Sequence, residues 1–230
     1  MYLYKKEMIK SFKFQFNGIE KVRQSYSQCL QDMFVLSALN GMENGTFLEI
    51  GAFQASFISN TLLLERYFGW SGVSIDIDIS AQHSFSNEGR TAKFILGDAL
   101  KLDYQKILEE NFGNKRVDYL QIDIEPNINT LECLKLIPLN EYRFSVITFE
   151  HDHYDPNTSK DINDMVQNES RKILKNNGYI LVAGNISNMD ENEMEDWYLD
   201  GKYFSKTVIN NFKRKEDTTI PSHLYMMENV

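Results

Sequence analysis

From about residue 46 to residue 183 the chain alternates short apolar runs with helix-periodic stretches. That alternation restricts its fold more than any other feature. Residues 46–50 form a strand-like run closed by Gly51. Residues 58–68 have helical spacing and stop at Gly69. Further strands are predicted over 72–77, 92–96, 117–124, 144–149 and 179–183. Helices are predicted over 103–111, 128–137 and 162–175. Parallel strands need crossovers of a dozen or more residues, and helices of this length supply them. The right-handed crossover rule then places helices on both faces. The expected fold is α/β and doubly wound, a mostly parallel, seven-stranded sheet of Rossmann-like type. A seventh strand is expected near the C-terminus, over 207–212 or 223–227.

No repeat or Pro/Gly-rich linker divides the 230 residues, so one domain is expected over 25–230. It is preceded by an extension over 1–24. In that extension Phe12, Phe14 and Phe16 alternate with Lys13 and Gln15 ahead of Asn17-Gly18, a hairpin pattern. Because the β/α alternation starts only near residue 46, the extension is expected to be dispensable for ligand binding. A helix over 28–40 follows, with Ser27 as its N-cap and Gly41 as its stop.

The net charge of −9 argues against a nucleic-acid partner. No apolar run is long enough to span a membrane. Lys5, Lys6 and Glu7 interrupt any secretory apolar core. Cys29 and Cys133 have no metal-type spacing and suit free thiols in a reducing compartment. A cytoplasmic location is the resulting expectation.

In such a sheet, ligands bind at the carboxyl ends of the strands. Those ends are acidic here. Glu49 lies at the end of strand one, followed by Gly51, Ala52 and Phe53. Asp76 closes strand two and Gly97-Asp98-Ala99 strand three. Asp123 and Glu125 close strand four, and Glu150, His151, Asp152 and His153 follow strand five. Buried carboxylates without partners are costly, so their recurrence points to a site. The turn after strand one lacks G-x-G-x-x-G, which argues against a pyrophosphate cradle and hence against NAD or FAD. A cationic ligand suits acids better. Asp76 lies 25 residues past Gly51, placed to accept hydrogen bonds from ribose hydroxyls.

Several segments together resemble the FkbM-type family of S-adenosylmethionine-dependent methyltransferases. They are Ser27-Gln28 with Gln31-Asp32; Phe47-Leu48-Glu49-Ile50-Gly51-Ala52; Ser59-Asn60-Thr61 with Leu64-Glu65; and Gly69-Trp70-Ser71-Gly72. Further along come Gly97-Asp98-Ala99, the run from Val117 to Glu125, and Ile147-Thr148-Phe149-Glu150-His151. Arg171, Leu174, Gly178-Tyr179 and Asp196-Trp197-Tyr198 fit the later portion. The resemblance runs from roughly residue 25 to 200 and implies a class I methyltransferase fold with S-adenosyl-L-methionine as cofactor. It implies cofactor contacts at Glu49, Gly51, Asp76, Asp98 and Ala99, and a methyl-acceptor end at Asp123, Glu125, Glu150 and His151. Ala52 and Phe53, in the same first turn, are added as cofactor-binding candidates. Two residues depart from the family pattern: Ala55 replaces a second glycine, and Pro126 replaces the glycine after the Asp-x-Glu segment.

The activity expected is O-methylation of a hydroxyl or carboxyl on a small molecule or glycan. His151, Glu150 and Asp123 are the candidate catalytic groups, with His151 and Glu150 the first choices for a general base. No metal is required by this reading. The alternative is a divalent ion on Asp123, Glu125, Glu150 and Asp152, whose oxygens suit Mg²⁺ or Ca²⁺. Two other readings stay open: a catalytically inactive cofactor-binding scaffold, motivated by Ala55 and Pro126, and another nucleoside-binding enzyme on this fold. Trp197-Tyr198 with Tyr203-Phe204 are expected to pack the last helix and strand, or alternatively to wall an acceptor.

Overall fold

The computed structural model describes residues 4–113, 115–189 and 192–227. In chain order its elements begin with α1 (Lys6–Ile9), α2 (Gln31–Ala38), β1 (Thr46–Ile50), α3 (Leu62–Phe68), β2 (Ser71–Asp76), α4 (Ile79–Asn87) and β3 (Lys93–Leu96). There follow α5 (Tyr104–Asn111), β4 (Arg116–Ile122), α6 (Asn127–Leu136), β5 (Arg143–Glu150), α7 (Lys160–Asn176) and β6 (Tyr179–Ser187). The chain closes with β7 (Glu193–Asp200), α8 (Lys206–Phe212), β8 (Ile220–Pro221) and α9 (Ser222–Met227). The starts of α4, α5, α7 and α8 are capped by Asp78, Asp103, Ser159 and Ser205, each accepting a backbone N–H that the first turn leaves unpaired. Gly69 stops α3 in the left-handed region, at φ +67°.

One sheet has the order β3-β2-β1-β4-β5-β7-β6-β8. Strands β1 to β5 pair in parallel. β7 runs antiparallel between β5 and β6. The α/β, doubly wound fold is as the sequence implies, but with eight strands rather than seven. The seventh strand is not at 207–212 or 223–227, which are α8 and α9. It is β7, whose sequence EMEDWYLD carries four acids. Asp and Glu are depleted in strands, so the run does not read as one.

Side chains alternate across the strands and build two cores. Phe47, Tyr119 and Val146 face a layer formed by α2, α3, α8 and the N-terminal segment. Leu48, Leu120 and Ile147 face α5, α6 and α7. Trp197 and Tyr198 are fully buried, and Phe34 stacks on Trp197 at 4.4 Å between ring centroids, so this pair packs the core and walls no ligand site.

Among the described residues, 4–24 form no hairpin. They hold α1, a 3₁₀ turn at Ile19–Lys21 and one bridge between Lys5 and Gln24. Tyr4, Ile9, Phe12, Phe16 and Val22 are buried in the same core as α2. Lys13 N–H donates to the Met226 carbonyl at 2.9 Å, tying the segment to α9. Apolar periodicity read as a strand is here an irregular segment pressed onto the domain. Phe12→Ala is therefore expected to cost about 3–5 kcal/mol, the usual range for a buried Phe. Deletion of residues 1–24 should lower the unfolding temperature by much more than that single change. Calorimetric melts of the three proteins check both; equal melting temperatures would show that this segment adds nothing to the core.

Candidate functional site

β1 ends in Gly51, at φ +83°. A Cβ at that position would drive into the main-chain carbonyl oxygen of Asp123, so only glycine fits. Asp123 N–H in turn donates to the Ile50 carbonyl at 2.9 Å, and Gly51 and Ala52 N–H both donate to Ile75. The carboxyl ends of β1, β2 and β4 are thereby joined. Beyond them lies a cavity of about 560 Å³.

Gly51, Phe53 and Asp76 line it, as do Gly97, Asp98 and Ala99. Both oxygens of Asp76 accept backbone N–H groups, from Phe53 and Asp78, each at 2.8 Å. These bonds fix the carboxylate at the end of β2 and leave lone pairs for a ligand. Asp98 accepts from Leu100 N–H at 3.0 Å and pairs with Lys101 at 2.8 Å. The Lys101 bond holds its carboxyl below the usual range.

Two expected cofactor residues do not line the cavity. Glu49 is buried beneath the turn, where Thr61 and Ser74 hydroxyls donate to its Oε2 at 2.9 and 2.6 Å. Burial pushes its pKa up, against the pull of Arg90. Arg90 itself donates to the Ala55 carbonyl and to Thr61, and pairs with Glu65. It thus ties down the loop after β1. Ala52 is also buried and off the cavity wall. Ala55, the departure from glycine, is buried beside Phe85, with its N–H on Ser84. The structure accommodates it without a ligand contact.

At the carboxyl ends of β4 and β5, Asp123, Glu125, Glu150 and Asp152 all line the cavity. One oxygen from each of Asp123, Glu150 and Asp152 lies within 4.8 Å of the others. Burial raises Asp123 to about 6 and Asp152 to about 7. Burial, then the neighbouring charge of Asp123, drives Glu150 well above the carboxylate range. Like charges this close share protons. Among the described residues lining the cavity, none is Lys, Arg or His.

His151 is a correction. It is fully buried and not on the cavity wall. Its Nδ1 accepts the His153 N–H at 3.2 Å, and its Nε2 faces Asp196 at 3.5 Å. Asp196 is clamped by Arg171 at 2.7 and 2.9 Å. The imidazole packs behind the end of β5, off the cavity wall. His153 is held between Glu193 and Asp164.

Sequence reasoning missed Gln28, Tyr154 and Met194, which complete the wall. Gln28 belongs to the Ser-Gln segment that carries the family resemblance, so a signal existed. Met194 sits on the unread strand β7, and Tyr154 on the loop after β5.

Gly51→Ala should abolish ligand binding and lower the melting temperature, whereas Ala55→Gly should leave binding in place. Calorimetric titration of the two variants separates these outcomes. A second expectation concerns Glu195 on β7. Burial raises it to about 8 from the ordinary 4.5, despite the Trp197 Nε1–H bond at 2.8 Å. The folded protein holds a proton that the unfolded chain releases. This contribution to stability is complete below about pH 4.5 and lost as pH rises through about 8. Glu195→Gln should flatten that decline in urea midpoints; an unchanged slope would remove Glu195 as its cause.

No protein-family model matches the chain, and no curated protein matches it in sequence. Solved structures do. A Klebsiella pneumoniae protein provisionally described as an O-methyltransferase superposes with TM-score 0.54 at 15% identity, over 74% of this chain and 79% of that one. The O-methyltransferase from Bacillus cereus, in complex with SAH, gives 0.52 at 18%, over 74% and 80%. A Staphylococcus aureus protein provisionally described as a caffeoyl-CoA O-methyltransferase gives 0.52 at 14%, over 80% and 88%. At such identities the likeness is one of architecture: this chain has the α/β Rossmann-like methyltransferase fold.

Proposed function

We propose that this chain is an S-adenosyl-L-methionine-dependent methyltransferase, similar to the FkbM-type family, that methylates a hydroxyl oxygen of a small molecule or glycan. The observation that carries the reading is the cavity's charge. It opens at the carboxyl ends of the strands and is walled by acids, with no basic residue among the described ones. A phosphate-rich dinucleotide would meet repulsion there, whereas a cofactor with a sulfonium and an ammonium group would not. An anionic carboxyl acceptor would meet the same repulsion, which narrows the expected hydroxyl or carboxyl to a hydroxyl.

When bound, this cofactor supplies an electrophilic methyl group. Asp76 would accept from the ribose hydroxyls and Asp98 from the adenine amino group, while Gly51 lets the backbone approach closely. Glu49, sealed under the turn, positions that backbone and makes no contact itself. On the other wall Asp123 and Glu150 take over the role expected of His151: Glu150, protonated, holds the acceptor hydroxyl, and Asp123 receives its proton as the oxygen is alkylated.

Calorimetry should show S-adenosylhomocysteine binding and no NAD binding. Asp76→Ala should weaken S-adenosylhomocysteine by about 1–3 kcal/mol, the scale for hydrogen bonds to a charged acceptor. NAD binding, or unchanged affinity in the variant, would overturn the assignment. Binding without turnover across a panel of sugars and phenols would favour the inactive-scaffold alternative.

A further inference from the structure

A second cavity, of about 460 Å³, lies beside the first. Among the described residues its wall is made of Tyr154, Glu193, Thr219 and Pro221. Tyr154 lines both cavities, so its side chain is a partition between them. Strand β7 accounts for the arrangement. Glu193 and Met194 are successive residues of that strand, and successive side chains point to opposite faces. Met194 lines the first cavity and Glu193 the second. The two cavities therefore flank the start of β7 at one edge of the sheet. The His151 and Asp152 N–H bonds to the Met194 carbonyl hold the loop that carries Tyr154 at this point.

The second cavity has the chemistry to hold a neutral polyhydroxyl ligand. Glu193 is fixed there: the Thr219 hydroxyl donates to its Oε1, and its Oε2 lies 2.9 Å from His153 Nδ1. Each carboxylate oxygen keeps a lone pair for a ligand hydroxyl. The Thr219 oxygen, its proton committed to Glu193, is a further acceptor. None of the described lining residues is Lys, Arg or His, so nothing there neutralises an anion. Tyr154 is 41% exposed. Burial, then the charge of Asp152, pushes its pKa up to about 12, so the hydroxyl stays a donor. A sugar ring has C–H groups on its faces and hydroxyls on its rim. An amphipathic aromatic side chain beside carboxylate and hydroxyl oxygens matches both.

Size points the same way. The first cavity, about 560 Å³, is within the usual range for a single ligand, about 300–1,000 Å³. On the methyltransferase reading it takes the cofactor and the reacting group together. A second ring of the acceptor finds its space past Tyr154.

We propose that the second cavity is a sugar subsite and that the acceptor is a neutral glycan of at least two units. One unit presents its hydroxyl in the first cavity. The next packs on Tyr154 and bonds to Glu193 and Thr219. Methylation of that glycan rests on the methyltransferase reading; the sugar subsite itself does not.

The probe is an array of defined neutral mono-, di- and trisaccharides, screened with the fluorescently labelled full chain, with and without S-adenosylhomocysteine. At least one di- or trisaccharide should bind tenfold or more tightly than each of its component monosaccharides. Calorimetry with that sugar should show Tyr154→Ala and Thr219→Val each weakening it at least tenfold. Tyr154→Phe keeps the ring and should lose less than Tyr154→Ala. Tyr154 is exposed and Thr219 half-buried, so the variants should fold, and circular dichroism checks this. Absence of any bound sugar overturns the subsite, as does equal affinity for mono- and disaccharides or for parent and Tyr154→Ala. Failure of the cofactor reading shows separately, as absent S-adenosylhomocysteine binding in calorimetry without sugar.

Discussion

Gly51 and the Asp123 carbonyl occupy one small volume between β1 and β4, and the site depends on that contact. A side chain at residue 51 would force apart the two strands whose ends frame the cavity. Because the φ of +83° turns the chain sharply, Phe53 comes over β2, and its N–H meets the Asp76 carboxylate. The same turn leaves Glu49 beneath, facing Thr61 and Ser74. One backbone conformation therefore decides which acid reaches the ligand and which supports it. It also brings Asp123 and Asp76 to the same cavity.

The sheet's other half is organised by β7. An antiparallel strand between β5 and β6 puts Met194 and the 151–155 loop beside the ends of β4 and β5. His151 and Asp152 N–H both donate to the Met194 carbonyl, at 2.8 and 3.0 Å. The reversal thus closes the acceptor wall, which a purely parallel continuation would leave open. On one face the same strand is covered by Phe34 of α2 and, through Trp197, by Tyr225 of α9. The N-terminal residues close that layer.

The parallel half of the fold was legible because apolar periodicity is a local property. The predicted strands of β1 to β6 fall within a few residues of their places, apart from the carboxyl end of β6. Two failures share a cause. β7 carries Glu193, Glu195, Asp196 and Asp200, and its acids are tolerated by partners distant in sequence: Arg171 for Asp196, and Arg143 with Arg116 for Asp200. His151 followed a strand end and looked like a cavity residue, but Asp196 on the unread strand holds it behind the wall. Without β7 neither fact can be seen. α4 was missed for a simpler reason, a polar sequence with few apolar positions to set a period. Gly51, Phe53, Asp76, Asp98 and Ala99 all line the cavity, since glycine after one strand and aspartate after the next are signals of position rather than of partners. Glu49 and Ala52 were misplaced because proximity along the chain does not give the direction of a side chain.

The buried acids fall into two physical classes, and the division separates support from chemistry. Asp32 accepts from Ser25, Ser27, Tyr26 N–H and Met33 N–H, all between 2.6 and 2.8 Å. Asp196 and Asp200 have arginines, and their pKa values are held below the usual range. These groups are satisfied within the fold. Asp123, Glu150 and Asp152 are different: burial and the neighbouring carboxylates raise their pKa values, and Glu150 hydrogen-bonds to both aspartates. A fold gains no stability from such an arrangement. It persists because β4 and β5 are parallel neighbours whose ends must lie side by side, with a cavity rather than protein in front of them. Protons shared among the three carboxyls relieve their mutual repulsion.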